Sequence, residues 1–185
     1  MLDTIHPWGR ALGRQLATEV VARVATEPWE LDGYYRVRRT IFAEEQRIFE
    51  HSDIDAHDDH ATPIVATSQI AGMPDEVVGV VRIYETTQGV WYGGRLGVCA
   101  EYRRRGAVGA ALIQTAVSTA HAWECERFFA TVQAPNVRYF EHHHFRALER
   151  IELCGRPHAL MQADLSAFPP CPLALVACRA RRSAA

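Results

Sequence analysis

The chain has 185 residues, a formal net charge of −2 and 48% hydrophobic residues. This length suits one domain with a substantial core, and the near-neutral charge argues against a nucleic acid or another polyanion as partner. No apolar stretch approaches the length of a membrane span, and Asp3 and His6 precede any apolar run, unlike a secretion signal. Five scattered cysteines favour a reducing compartment, and each thiol is expected to be buried. We therefore expect a cytoplasmic protein without membrane contact.

The predicted elements, in chain order, follow a lead-in at residues 1–19. Residues 20–25 predict a strand, and Thr26-Glu27-Pro28 predicts the start of a helix that runs to about residue 43. The later predicted elements are a helical turn at 44–50, an acidic loop at 51–60, strands at 62–69, 76–85 and 90–98, a helix ending near 121, a strand at 128–132, a helix at 135–143, and strands at 145–153 and 157–164. This mixture predicts an α/β domain over 20–165, followed by a loosely held tail at 166–185.

The most informative segment is LGVCAEYRRRGAVGAALI, residues 96–113. A β-prone stretch enters a short loop rich in Arg and Gly, and this loop opens an Ala-rich helix. Unpaired backbone N–H groups and the helix dipole make the start of a helix favourable for anions. The segment therefore predicts a pyrophosphate site. The alternative is an ordinary turn between strand and helix that carries a solvated basic run.

The same segment resembles the coenzyme A motif of the GCN5-related N-acetyltransferases, in which L-x-V and Tyr-Arg-x-x-Gly precede an apolar helix. Arg103 and Gly106 match that motif, whereas Val108 stands where the family has Gly or Ala and is expected to hinder approach to the backbone. Gly109 follows and offers room. The resemblance implies a GNAT-type fold, with a mixed central sheet and flanking helices. WYGGRLGV and ATVQAPNVRYFE further resemble a bacterial branch of N-acetyltransferases from nitrogen-starvation gene clusters.

The resemblance implies acetyl-CoA as the acyl donor, with no metal, and transfer to the amine of a small molecule by direct attack in a ternary complex. In this family the fourth and fifth strands diverge around the pantetheine arm. The implied cofactor-binding residues are Leu96, Gly97 and Val98 for pantetheine, Arg103, Arg104, Arg105, Gly106, Ala107, Val108 and Gly109 for pyrophosphate, and Asn136 and Phe140 beside the thioester. Cys99 is expected to pack under the helix, so no acyl-enzyme nucleophile is apparent.

Two positions that often carry catalytic groups in this family hold other residues here. Relatives often have a glutamate base six residues before the valine of L-x-V, where this chain has Tyr92. They often have a tyrosine acid in the late helix, where this chain has Phe140, which cannot donate a proton. Tyr139 is adjacent but lies about 100° around a helix. Tyr92 and Tyr139 are therefore catalytic candidates whose roles differ from those of the usual pair.

A base could come from Glu44, Glu45 or Glu85, or from a water held by backbone carbonyls. Glu45 is the preferred catalytic candidate, because Glu45-Gln46 lies in a run similar to a substrate-side element of several relatives. The alternative is that Glu45 only caps or solvates the short helix. Glu85 suits a surface charge at a strand end.

Arg82 and Arg95 lie in otherwise apolar strands, where a buried charge needs a partner. They either bind the carboxylate of an acceptor or pair with Asp55, Asp58 or Glu45, and structural pairing is the favoured interpretation. As substrate-binding residues, they would make an amino acid or a related small polar amine the acceptor. The acidic loop and the run His142-His143-His144 lack the spacing of metal motifs, so we expect no metal there.

Two other functions are weighed. The first is a non-catalytic module that binds acyl-CoA as a sensor or scaffold, which Tyr92 and Phe140 support. The second is an acyltransferase like the acyl-homoserine-lactone synthases, suggested by Arg-x-x-Phe, by the Asp55-x-x-Asp58 pair and by Trp91 and Arg95. It ranks behind because those synthases carry a glutamate where Tyr92 stands. A homodimer is left open.

Overall fold

The computed structural model describes residues 17–49 and 52–181, and its elements form one layered α/β unit. In chain order they are β1 (Ala17–Val24), α1 (Pro28–Arg38), β2 (Thr62–Ile70), β3 (Met73–Thr87), β4 (Val90–Val98), α2 (Ala107–Ala122), β5 (Arg127–Gln133), α3 (Val137–His142), β6 (Phe145–Leu153), β7 (Arg156–Ala163) and β8 (Val176–Arg181). The strands form a single sheet in the order β6-β7-β5-β4-β3-β2-β1-β8. Only β4 and β5 pair in parallel among these described strands. The mixed sheet with flanking helices confirms the predicted fold class.

Helix α1 begins where the sequence predicts, and a buried carboxylate explains why. The Glu30 side chain accepts hydrogen bonds from the backbone N–H groups of Thr26 (3.0 Å) and Glu27 (3.1 Å). These groups precede the first turn and lack helical acceptors. Pro28 is at the start, where its missing N–H costs nothing. Arg23 neutralises Glu30 through an ion pair of 2.5 Å.

The chain leaves α1 through a wider π-helical turn, Arg39–Glu45. This turn ends with Gln46, whose N–H donates to the Ile41 carbonyl at 3.0 Å, five residues back. The helical turn predicted over 44–50 is wrong for residues 46–49, which are not helical. The cause is local, because Ile48 donates its N–H to the Phe42 carbonyl at 3.0 Å and folds this segment back over the π-turn.

Hydrophobic side chains cover both faces of the sheet. Ile64 and Ala66 of β2 face the cluster that includes α2, whereas Val65 between them faces the cluster that includes α1. This alternation is the two-residue period of a strand. Both clusters are buried, so the sheet is a central layer with α1 and α2 on opposite faces. Among the described residues, no helix has the length and apolar character needed to span a bilayer.

The expected loose tail is wrong, because the described part of it is built into the fold. Phe168 is 2% exposed and packs in the core. Strand β8 then pairs antiparallel with β1, with Val20 opposite Cys178. The run from 176 to 181 has one β-branched residue, so its sequence gives little indication of a strand. The expectation of burial for every thiol is also wrong, since Cys154 and Cys171 are exposed.

Candidate active site

Strands β4 and β5 diverge after a short region of pairing. Their parallel ladder joins residues 90–93 to residues 127–130. Beyond it, β5 pairs with β7 as far as Gln133, while β4 continues to Val98 without a described strand on that edge. Backbone groups at an unpaired edge are available to a ligand. The opening leads into a cavity of about 680 Å³ that Leu96, Gly97 and Val98 help to line.

A β-bulge in β4 accompanies this divergence. The register against β3 shifts by one residue between Gly94 and Gly97, and Arg95 within the shift has a φ of +56°. A left-handed backbone costs a non-glycine residue about 1 kcal/mol or more, but a bulge re-aims its side chain. Here the Arg95 guanidinium donates to the Asp53 carboxylate (3.0 Å) and to the Asp53 backbone carbonyl (2.7 Å). These hydrogen bonds offset the backbone strain and hold the bend.

The Arg- and Gly-rich loop enters α2 as the sequence predicts. Two 3-10 turns, Ala100–Tyr102 and Arg104–Gly106, lead to α2 at Ala107. Gly106 precedes the helix with a φ of +68°, a conformation that glycine adopts without strain. Gly106 and Gly109 line the cavity. The first N–H groups of α2, which lack helical acceptors, therefore lie beside the opening.

The side chains of this loop are arranged differently from the expectation. Arg103 turns back, and its guanidinium donates to the Val98 carbonyl (2.6 Å) and to the Glu45 carboxylate (2.5 Å). Val108 is 1% exposed and packs toward Gly79, on the core side of the helix. The expected hindrance by Val108 is therefore wrong, because its side chain points away from the cavity that Gly109 lines.

Tyr139 of α3 lies across this loop. Its hydroxyl donates to the Gly106 carbonyl at 2.7 Å. A methyl group at Gly106 or Gly109 would come within 2.8 Å or 2.6 Å of Tyr139 atoms, so both glycines are needed for this close approach. Burial raises the pKa of Tyr139 to about 12. The hydroxyl is thus occupied by the loop carbonyl and is a weak acid, which leaves its predicted catalytic role without geometric support.

Asn136 and Phe140 also line the cavity. Phe140 is 8% exposed and packs edge-to-face on Phe145, with ring centroids 5.1 Å apart. The helix therefore presents a buried hydrocarbon ring at this position, and the ring can position a neighbouring group but cannot transfer a proton.

The comparisons with known proteins agree with this geometry. A family model described as the acetyltransferase (GNAT) family matches residues 24–145 of the 185. The chain belongs to this family. The resemblance found in the sequence is thereby confirmed, whereas the narrower resemblance to a nitrogen-starvation branch stays a prediction. A comparison with curated proteins finds no match.

Several solved structures are similar to this GNAT chain. A proposed N-acetyltransferase from Lactobacillus plantarum has a TM-score of 0.68 at 22% identity, covering 81% of this chain and 99% of that one. An acyl-CoA N-acyltransferase from Pseudomonas aeruginosa has a TM-score of 0.63 at 19% identity, with 80% and 99% covered. The CoA-dependent acyl-homoserine lactone synthase BjaI, solved with SAM and isopentyl-CoA, reaches 0.59 at 16% identity, with 73% and 75% covered. At these identities the similarity concerns the fold.

On the α1 face of the GNAT sheet, three arginines and three aspartates form a closed network of ion pairs. Arg38 pairs with Asp53 (2.8 Å) and Asp58 (2.5 Å), Arg82 with Asp55 (2.6 Å) and Asp58 (2.7 Å), and Arg95 with Asp53 (3.0 Å) and Asp55 (3.0 Å). Each carboxylate is shared by two guanidinium groups. The six formal charges cancel, so the network as a whole is neutral.

The arginines of the network lower the pKa values of two of its carboxylates, those of Asp55 and Asp58. Burial alone would raise the pKa of Asp58, but hydrogen bonds from Arg38, from the Asp55 backbone N–H and from Arg82 hold that pKa far below its usual range. The pKa of Asp55 is also lowered, because hydrogen bonds and charge from Arg82 outweigh the opposing effect of burial. The acidic loop is therefore anchored to the sheet by arginines. In the described parts of the chain, no three His, Cys, Asp or Glu side chains form a metal-binding group.

Arg82 and Arg95 thus have the structural pairing that the sequence analysis favoured. Arg82 is 2% exposed, and both of its terminal nitrogens bind aspartates. The alternative, in which Arg82 and Arg95 receive a substrate carboxylate, is not what this geometry supports. Their guanidinium groups are already engaged by Asp53, Asp55 and Asp58.

The remaining predicted residues lie on opposite sides of the opening. Glu45 is bound to Arg103 beside the loop that precedes α2, which suits a loop contact better than a base for an incoming amine. Tyr92 lies on the α1 face, with its ring near those of Tyr84 (6.0 Å) and Phe129 (5.4 Å). Tyr84 lines the cavity and was missed as a site residue. Tyr84 follows Arg82 by two residues in β3, and residues at this spacing share one face of a strand. This spacing could have placed Tyr84 beside Arg82 on the α1 face.

Proposed function

We propose that the chain is an acyl-CoA-dependent N-acyltransferase, with acetyl-CoA as donor and the primary amine of a small molecule as acceptor. The observation that carries the proposal is a cavity that reaches both faces of the sheet at the β4–β5 opening. Gly106 and Gly109 line it on the α2 face, and His57 and Tyr84 line it on the α1 face. Donor and acceptor therefore have separate approaches to one opening.

On the donor side, the edge of β4 and the loop before α2 support CoA binding. The unpaired edge near Leu96 and Val98 offers backbone groups to the pantetheine amides. The N–H groups around Gly106 and the helix dipole favour the pyrophosphate. Arg104, exposed in the same loop, adds positive charge that favours a phosphate.

The reaction follows from alignment of the two substrates. The neutral amine nitrogen attacks the thioester carbonyl carbon, a C–N bond forms, and the C–S bond breaks as the tetrahedral intermediate collapses. The nitrogen loses one proton to water, and the CoA sulfur takes up one proton, so the products are an amide and free CoA. Alignment of bound reactants can supply about 7–11 kcal/mol of the barrier. Neither residue of α3 at this point donates a proton to the sulfur, because Phe140 has no acidic group and the Tyr139 hydroxyl is bound to the Gly106 carbonyl. Positioning of the substrates is therefore the main contribution to the rate.

Cysteine chemistry is not required for this transfer. Cys99 is the thiol that follows the L-x-V segment, and burial raises its pKa to about 11. A thiol with such a pKa is almost wholly protonated at neutral pH and is a poor nucleophile. This argues against an acyl-enzyme intermediate on Cys99 and supports direct attack in a ternary complex.

The test combines CoA binding with turnover. Titration calorimetry measures acetyl-CoA affinity of the full chain, and thiol release with mass spectrometry measures transfer to a metabolite amine library that includes S-adenosylmethionine. We expect CoA binding, CoA release dependent on an amine, and a product heavier by one acetyl group. CoA binding without transfer to any amine would instead support the sensor or scaffold function. Transfer only to S-adenosylmethionine would support the synthase-like alternative.

A further inference from the structure

The α1 side of the cavity carries a row of aromatic rings that the donor side does not use. The rings belong to His57, Tyr84 and Tyr92, which line the cavity, and to Phe129, which packs beside Tyr92; we name this row the aromatic shelf. His57 stacks on Tyr84 with centroids 4.4 Å apart and planes 15° apart. The planes of Tyr84 and Tyr92 differ by 16°. The shelf leads from the acidic loop to the point where β4 and β5 diverge.

The position of the shelf follows from strand register. Tyr84 and Tyr92 are directly opposite in the antiparallel β3–β4 ladder, and Tyr92 is opposite Phe129 in the parallel β4–β5 ladder. Opposed residues point to the same face, so the rings continue across three strands. Gly93, which follows Tyr92, is the last paired residue before the opening. A group lying on the shelf would therefore extend toward the reacting carbonyl.

Two charged groups beside the shelf, Arg82 and Arg95, are paired with aspartates, and a third, Arg127, lies over the Phe129 ring at 6.0 Å. Arg82 lies over the Tyr84 ring at 5.4 Å, and its terminal nitrogens bind Asp55 and Asp58. Arg95 lies over the Phe49 ring at 4.7 Å and binds Asp53 and Asp55. Because this network is neutral, we do not expect it to attract an acceptor that carries a carboxylate or a second ammonium group.

The two tyrosines supply the polar contacts that remain. Both are half-buried, and within the described residues neither hydroxyl has a hydrogen-bond partner. His57 and Arg82 lie over the Tyr84 ring, so a ligand ring would pack against the parts of Tyr84 and Tyr92 that line the cavity, in the edge-to-face or offset arrangement that aromatic rings prefer. Arg156, which lines the same cavity, donates to the Gln46 carbonyl at 3.0 Å.

We propose that the acceptor is an arylalkylamine, whose aromatic ring lies on the shelf and whose amine reaches the β4–β5 opening. This inference rests on the proposed N-acyltransferase function and narrows its acceptor class. It replaces the amino-acid acceptor expected from the sequence, because the two arginines behind that expectation are paired.

The test uses three matched amines with the full chain and acetyl-CoA: 2-phenylethylamine, its saturated analogue 2-cyclohexylethylamine, and L-phenylalanine, which adds a carboxylate. We expect kcat/KM to be highest for 2-phenylethylamine. The saturated analogue should be lower by about three- to tenfold, the size of a lost aromatic contact. L-phenylalanine should be lower by about tenfold or more, since Arg82 and Arg95 are already paired with aspartates and its carboxylate loses solvation.

Variants identify the surface responsible. Tyr84→Leu and Tyr92→Leu should each raise the KM for 2-phenylethylamine about tenfold, leave acetyl-CoA affinity unchanged, and bring the phenyl and cyclohexyl amines closer in kcat/KM. Trp29→Leu is the control, because Trp29 is a 39% exposed aromatic residue that does not line the cavity.

Different failures are distinguishable. If L-phenylalanine or another amino acid is acetylated better than 2-phenylethylamine, the arylalkylamine inference is overturned while the N-acyltransferase function stands. Loss of that preference in Arg156→Ala would then place the carboxylate beside Arg156. If acetyl-CoA binds and no amine of any class is acetylated, the proposed function fails and the inference fails with it.

Discussion

Replacing Arg38 with methionine tests whether the buried ion network holds the acidic loop onto the sheet. Arg38 is fully buried, and its guanidinium donates to both carboxylate oxygens of Asp58, to a carboxylate oxygen and the backbone carbonyl of Asp53, and to the Tyr34 hydroxyl. Methionine fills part of the volume but replaces none of these five hydrogen bonds. The network would then carry one unbalanced negative charge.

The expected loss of stability follows from that imbalance. Removing one partner from a buried ion pair costs about 3–5 kcal/mol, because the other charge stays buried without compensation. Asp58 keeps Arg82 and Asp53 keeps Arg95, so we expect the lower part of this range, about 3 kcal/mol. With a urea m-value of about 2 kcal/mol/M, the unfolding midpoint should fall by about 1.5 M.

The assay is urea unfolding followed by circular dichroism at pH 7, with Arg39→Met as matched control. Arg39 is the next residue, its side chain is 73% exposed, and its contact with Glu44 is 3.4 Å long. An exposed pair contributes about 0–1 kcal/mol, so the control should unfold near the wild-type midpoint. If Arg38→Met and Arg39→Met unfold within about 1 kcal/mol of each other, the network does not stabilise the fold as argued.

Three further outcomes are expected. Gly106→Glu should abolish acetyl-CoA binding in calorimetry, because it places a negative charge and a strained φ in the loop before α2. Unchanged affinity would mean that this loop is not the pyrophosphate site. Tyr139→Phe should weaken acetyl-CoA affinity about two- to tenfold with little change in kcat, because it removes one neutral hydrogen bond to the loop. A collapse of kcat alone would instead assign Tyr139 to proton transfer. The lowered pKa values of Asp55 and Asp58 mean that their contribution to stability is present above the unfolded-state pKa of about 4 and is lost as pH falls below it. Urea titrations from pH 6 to pH 3 should therefore show a falling free energy of unfolding, and a slope equally steep in Asp58→Asn would count against this assignment.

The sequence predicted the elements whose physical causes are local. The start of α1 at Pro28 and the passage from β4 into α2 through Gly106 depend on residues within a few positions of each other. The same holds for the three strands that follow the acidic loop, which end at the expected turns. Local chemistry of this kind is readable from one chain because the interacting groups are neighbours in sequence.

The features that sequence reasoning missed depend on contacts between distant segments. Strand β8 is stabilised by pairing with β1 at the other end of the chain, which its own composition does not indicate. Tyr139 is positioned by a glycine 33 residues earlier in the sequence, so its role could not be assigned from helix periodicity. Arg38 and Arg82 both bind Asp58, which is distant from each of them in the sequence. Only the folded arrangement shows that the two arginines share this aspartate.

A cavity open on both faces of the sheet has a consequence for kinetics. Acetyl-CoA and amine would reach the β4–β5 opening from opposite sides, so neither needs to bind first to leave room for the other. Initial-rate plots should intersect rather than run parallel. Free CoA should inhibit competitively against acetyl-CoA and noncompetitively against the amine, and the amide product could depart while CoA is still bound.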